Sequence, residues 1–290
     1  MSLQLRVFLC LFFIYSASVS GQDSVQNAIN TSIEQRYASF DSLQKYTSSF
    51  KRDSLAITSF IEKSKNASYT YGNAFGENLL GIYLRDHSYY DEALEHHDKA
   101  LELANQLNDV ELKVSVLNMT GVVYRRIDAV SSALDKHNAA LALAESQSEK
   151  SRALLKGIAI SQNSIGNIYL LLRDYDDAEK FFKMAINSEA NLTSDLGLAI
   201  NYGNLGITYE ERKQYDKALE NYKKSLEYNN KINNDLGRVI CNNSIGQVYL
   251  KQGKSSKALS LINEVLPKAE KIGDKSVSYT HLTLPTNREV

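Results

Sequence analysis

The chain has 290 residues, of which 33 are basic and 34 acidic, leaving a net charge of −1. A balance so close to neutral generates no field that would gather nucleic acid or an anionic membrane surface, so neither is expected as a partner. Two prolines and 14 glycines, set among abundant Ala, Leu, Lys, Glu and Asn, indicate helices joined by short turns and no strand-like runs.

At the amino terminus, Arg6 precedes the apolar run Val7 to Tyr15, and small residues follow up to Gly21. The run is shorter than the about 20 residues that cross a bilayer as a helix, which predicts a secretory signal peptide over residues 1–21. The chain is then expected to be exported, to a periplasm or beyond a cell. Any membrane contact would come from this segment or from a helix further downstream. Once the segment is removed Cys241 is the remaining cysteine, so no intrachain disulfide forms. Its setting, Val239-Ile-Cys241, is that of a buried inert thiol.

Residues 22–68 read as a degenerate capping unit. Ile29, Ile33, Tyr37, Phe40 and Leu43 recur every three or four residues, predicting a helix over 24–50. Asp53 to Ile61 reads as the second helix of a worn repeat, with Ala56 and Phe60 at its packing positions.

From residue 69 to 275 the chain repeats itself. Gly81, Gly121, Gly166, Gly206 and Gly246 are each followed twelve positions later by Ala93, Ala133, Ala178, Ala218 and Ala258. Self-similarity at this period marks an array of helix hairpins, each burying its apolar face against its neighbours. On the first helix of each hairpin Leu80, Thr120, Ile165, Leu205 or Ile245 precedes the key Gly, and Leu84, Tyr124, Tyr169, Tyr209 or Tyr249 follows it by three, all on one face. Asp91, Ser131, Asp176, Asp216 and Ser256 are expected to cap the second helices, and Asp195 and Asp235 to cap first helices. Gly72, Gly157, Gly197 and Gly237 form another ladder, where close approach of the preceding helix would offset the cost of Gly inside a helix. The third unit arrives five residues late, which predicts a longer helix or loop around Ser146 to Lys156. His97 and His137 share a position with Phe182, Tyr222 and Ile262, so they are expected to be partly packed rings and not metal ligands, which would need three or four converging groups.

Residues 276–290 break this grammar. Val277 to Val290 looks like the translation of a transposase adapter used in sequencing libraries, which would make the tail foreign and imply that the natural protein continues past about Lys275.

At Asn-x-x-Gly-x-x-Tyr (Asn163, Gly166, Tyr169) and at Asp176, Ala178, Phe182 and Ala185, the chain resembles the tetratricopeptide repeat family, in an extended form of about 40 residues like that of exported bacterial signalling proteins. The resemblance implies an all-α fold, an α-solenoid of antiparallel helix pairs wound into a right-handed superhelix. It also implies that the face of the first helices carrying Asn78, Asn118, Asn163 and Asn243 lines a concave groove. There Asn amides, with donors and an acceptor together, would bind the backbone of an extended peptide. The residues sharing that face, Arg85, Arg125, Asn167 and Gln247, complete the candidate set. The alternative is that these Asn side chains bond neighbouring helices. Phosphate-binding loops, metal-binding His motifs and recognisable nucleophile settings are missing from the sequence, so a catalytic site and a cofactor are not expected. The expected function is a peptide-binding scaffold serving as the extracytoplasmic sensor of a larger signalling protein. A stand-alone exported adaptor, or an enzyme whose catalytic domain lies downstream, are the alternatives.

Overall fold

A computed structural model describes residues 23–272. The segments expected to be a signal peptide and a foreign tail fall outside them. The described residues are helical throughout, in two units that meet between Glu149 and Lys150.

Unit 1 opens with α1 (residues 23–35) and α2 (Phe40–Thr47), so the single helix expected over 24–50 is broken. Arg36 takes a left-handed φ of 46°, and Ser39 restarts the helix by accepting from the Ser42 amide at 3.3 Å. The apolar residues of the predicted helix still meet one core, with Ile29 and Leu43 buried and Ile33, Tyr37 and Phe40 packed against it. Then come α3 (Ser54–Asn66), α4 (Thr70–Asp86), α5 (Tyr90–Gln106), α6 (Val110–Arg126) and α7 (Val130–Glu145). Asp53 caps α3 by accepting from the amides of Leu55 and Ala56. Unit 2 comprises α8 (Arg152–Leu171), α9 (Tyr175–Asn191), α10 (Asp195–Glu211), α11 (Tyr215–Lys231), α12 (Asp235–Lys251) and α13 (Ser255–Ile272). From α3 to α7 in unit 1 and throughout unit 2 each helix packs on the next, α2 packs on α4, and successive first helices also touch, α4 on α6, α8 on α10, and α10 on α12. Each unit is thus a short all-α solenoid.

Four of the five key glycines are seats for rings, and Gly246 faces Ile262. A Cβ built on Gly81 or Gly121 would stand 2.7 Å from the His97 or His137 ring, and one on Gly166 or Gly206 would stand 2.8 or 2.5 Å from Phe182 or Tyr222. Real Cβ atoms do not approach so closely, so Gly is required for the second helix to lay its ring across the first. The alanines twelve residues on, Ala93, Ala133, Ala178, Ala218 and Ala258, have no exposed surface. Three members of the second glycine ladder stand as expected: Cβ atoms at Gly72, Gly197 and Gly237 would meet Ser64, Glu189 and Asn229 of the preceding second helices at 2.9, 2.0 and 2.0 Å.

The caps differ from expectation by one or two residues. Asp91, Asp176 and Asp216 lie inside the first turn, where their charge suits the helix dipole. Ser131 and Ser256 also lie inside α7 and α13. Asp195 and Asp235 each stand one residue inside their helix, and the capping oxygens belong to Ser194 and Asn234, which accept from the amides of Gly197 and Gly237 at 3.1 and 3.2 Å. The shift has a cause in the turns. Between hairpin helices the chain spends three residues, the middle one left-handed: Ser88, Asn108, Asp128, Arg173, Thr193, Lys213, Asn233 and Gly253. The next amide reaches back five residues, as from Gln214 to the Tyr209 carbonyl at 2.8 Å, closing a Schellman motif. A turn that short brings the following helix in early. The late third unit is explained by both predicted means, a longer connection over residues 146–151 and a longer first helix, the 20-residue α8.

Candidate functional site

The asparagine ladder divides. Asn78, Asn118 and Asn243 are only 3, 1 and 7% exposed. The Asn78 amide donates to Ser115 Oγ on the next first helix at 3.2 Å, and Asn118 Oδ1 lies 2.9 Å from His137 Nδ1. The amide nitrogen of Asn78 and the amide oxygen of Asn118 are thus spent between helices, since a buried polar group left unpaired is costly. Asn163 and Asn167 are half-buried and reachable. Asn167 donates to Asn163, and Asn163 donates across to Asn201 Oδ1 at 2.8 Å, tying α8 to α10. Gln247, Arg85 and Arg125 are also half-buried.

Unit 2 contains an open groove of about 310 Å³ that none of these eight residues lines. Its walls come from α10 (Leu196, Ile200, Gly203, Asn204 and Ile207) and from α12 (Leu236, Ile240, Cys241 and Ser244), and α11 supplies Tyr222, Ser225 and Asn229. Five of the aliphatic side chains, Leu196, Ile200, Ile207, Leu236 and Ile240, are 41–51% exposed. On α10 they recur at i, i+4 and i+11 with Gly203 at i+7, a single stripe along the helix. Scattered exposed aliphatics are ordinary, whereas these five converge on one groove and form a contiguous apolar surface. Sequence reasoning placed none of these five aliphatic side chains in its candidate set. The available signal was an apolar stripe on α10 additional to the one that packs its core, but α10 is apolar on most sides, so no face stood out.

Polar groups of the groove are held by the fold. Ser225 Oγ donates to the Ala199 carbonyl at 2.7 Å and sits 3.1 Å from Cys241 Sγ. Burial pushes the Cys241 thiol up, which keeps it protonated and inert, as expected for that position. Tyr222 donates to Glu210 at 2.6 Å, and Lys251 pairs with the same carboxylate at 2.7 Å.

His97 and His137 are fully buried, further in than partly packed rings. Burial pushes His97 down to about 3, helped by the charges of Arg85 and His96, and pushes His137 down to about 4, helped by Arg125. Both are neutral rings filling the position of Phe182. No group of three or more His, Cys, Asp or Glu residues among the described residues is arranged to hold a metal ion. Among those same residues no helix is long and apolar enough to cross a membrane.

Residues 157–231 and 197–271 match a tetratricopeptide repeat family model. Residues 157–271 carry tetratricopeptide repeats. Solved structures share the fold of this repeat protein at low identity. BtubC from P. vanneervenii aligns over 93% of this chain and 96% of its own at 16% identity and a TM-score of 0.61. The Rap conjugation gene regulator of plasmid pLS20, in complex with the Phr* peptide, aligns over 93% and 80% at 16% identity and a TM-score of 0.62. Cut9 with Hcn1, from an APC/C hetero-tetramer, aligns over 92% of this chain and 47% of that one at 16% identity and a TM-score of 0.66. Among curated protein sequences none matches it.

Proposed function

We propose that this repeat protein is a non-catalytic scaffold that binds a segment of another polypeptide, and that the groove of unit 2 receives the segment's aliphatic side chains. One observation carries the reading: Leu196, Ile200, Ile207, Leu236 and Ile240 stand about half exposed around one groove walled by two rigid helices. Burying an aliphatic side chain there contributes about 1.5–3 kcal/mol, and Asn204 and Ser244 at the wall offer hydrogen bonds to a main chain. Asn163, Asn167 and Gln247, half-buried on the first helices of the same unit, are proposed as further backbone contacts. The fold also occurs in the Rap regulator solved with a bound peptide, which is consistent with this use. The apolar segment near the amino terminus supports placing the scaffold outside the cytoplasm, as the sensory part of a signalling protein.

The test is enrichment of displayed twelve-residue peptides on the whole protein. The wild type is expected to select peptides with spaced Leu, Ile or Val. The Ile200→Lys, Ile240→Lys double variant, changed at exposed positions, is expected to keep its helicity and lose that selection. Identical selection by the two proteins would overturn the assignment.

A further inference from the structure

Gly203 is out of keeping with its helix. It lies within α10, where glycine weakens a helix relative to alanine, and the other glycines of α10 and α12 are required by close neighbours. Cβ atoms built on Gly197, Gly206, Gly237 and Gly246 would stand 2.0, 2.5, 2.0 and 3.0 Å from a side chain. On Gly203 a Cβ would meet Ser225 Oγ alone, at an ordinary 3.4 Å. Alanine therefore fits, and the packing within unit 2 does not call for glycine there. Counted from the key Gly206, the position is that of Asn78, Asn118, Asn163 and Asn243, so the asparagine ladder is interrupted at the rung that lines the groove.

The same fold shows what a bare helical glycine receives. The rings of His97, His137, Phe182 and Tyr222 lie across Gly81, Gly121, Gly166 and Gly206. Gly203 offers the same bare backbone to the groove, with Ile200 and Ile207 one turn to either side and Ile240 of α12 among the other walls. Tyr222, whose ring covers Gly206, also lines this groove, as does Cys241. A ring entering there gains an aromatic neighbour and a sulfur neighbour, both favourable contacts for a π face or edge. None of the lining residues is charged, so a charged side chain would lose its hydration without finding a counter-ion. The polar groups of the floor are already paired. Tyr222 donates to Glu210 and Ser225 to the Ala199 carbonyl, while Asn229 donates to the Ser225 carbonyl at 2.9 Å and accepts from Asn234 at 2.8 Å. A ring carrying its own N–H or O–H would leave that donor unpaired on this floor, whereas phenylalanine brings none.

We propose that Gly203 is an open seat for a phenylalanine ring of the bound polypeptide, and that this seat determines which segments the groove accepts. The proposal rests on the reading of the groove as a polypeptide-binding site and adds an aromatic anchor to its aliphatic contacts. A seated phenylalanine buries roughly 150–250 Å² of surface, and a methyl at position 203 lifts the ring off the backbone.

The probe is the library of displayed twelve-residue peptides, selected on the whole protein and on its Gly203→Ala variant. The wild type is expected to enrich phenylalanine at least threefold over the unselected library, beside Leu, Ile and Val, and the variant to enrich it at least threefold less than the wild type does. A phenylalanine peptide selected on the wild type is expected to move the Gly203 Hα resonances upfield through its ring current, which a purely structural role of Gly203 would not produce. In urea the unfolding midpoint of Gly203→Ala is expected to rise, because alanine is the better helix former. A fall in that midpoint would show that the glycine serves the fold, and would overturn the seat. Aliphatic selection without phenylalanine, or equal phenylalanine enrichment by the two proteins, would overturn the seat and leave the scaffold reading intact. Selection of no peptides by the wild type would overturn both.

Discussion

Two buried imidazoles make unit 1 acid-sensitive, and the size of the effect follows from their setting. Held at about 3 and about 4 in the fold, His97 and His137 return to an ordinary value of about 6.5 when the chain unfolds. Between those values the unfolded chain binds more protons than the folded one, so stability is complete above about pH 6.5 and is lost as pH falls toward the folded values. At pH 5 each ring withdraws about 2 kcal/mol, hence about 4 kcal/mol for the pair. The perturbation that isolates this term is the double variant His97→Phe, His137→Phe. Phenylalanine fits the seat, since Phe182 lies on Gly166 as the histidines lie on Gly81 and Gly121. Removing His97 also removes two ring nitrogens that have no hydrogen-bond partner, which is expected to raise stability at pH 7.5 by about 1 kcal/mol. His137→Phe partly offsets this by taking one partner from Asn118. The assay is urea unfolding followed by far-ultraviolet circular dichroism at pH 7.5 and pH 5.0. The wild type should lose about 4 kcal/mol more than the variant between the two pH values. Equal losses in the two proteins would refute the reasoning, because the rings would then be protonated in the fold without penalty.

Two further predictions concern the repeat architecture. Gly166→Ala places a methyl 2.8 Å from the Phe182 ring and should destabilise unit 2 by about 1–3 kcal/mol in the same unfolding assay. An unchanged midpoint would mean that the ring seat is slack. Lys213→Gly relieves a left-handed residue with φ of 60° in a tight turn, and should stabilise unit 2 by about 0.5–1 kcal/mol. A loss of that size would show that the Lys side chain contributes something the turn geometry does not.

The repeat was legible in the sequence because its most repeated residues answer to close, local geometry. Gly166 and Ala178 must be small where two helices nearly touch, and no rearrangement of neighbours removes that demand. The ring position was equally visible, since His97, His137, Phe182, Tyr222 and Ile262 align by simple counting. The caps were displaced because Asp and Ser suit both the cap and the first turn, and the three-residue Schellman connection decides between them. The groove residues were mostly missed for a different reason. Apolar character alone does not distinguish Leu205, which is 3% exposed in the core, from Ile207, which is 41% exposed two positions later.

Residue type and spacing by themselves determined that this chain forms helix hairpins at a regular period and which small residues let the helices meet. Those features depend on contacts within a hairpin or with the next, whose separation in sequence is constant. Tertiary structure alone decided which side chains remain for a partner. It buried Asn78, Asn118 and Asn243, left Leu196, Ile200, Leu236 and Ile240 uncovered, and gave Arg85, Arg212 and Arg238 carboxylate partners. Exposure and charge compensation are sums over everything that packs nearby, so they follow from the packed helices and not from any one stretch of sequence.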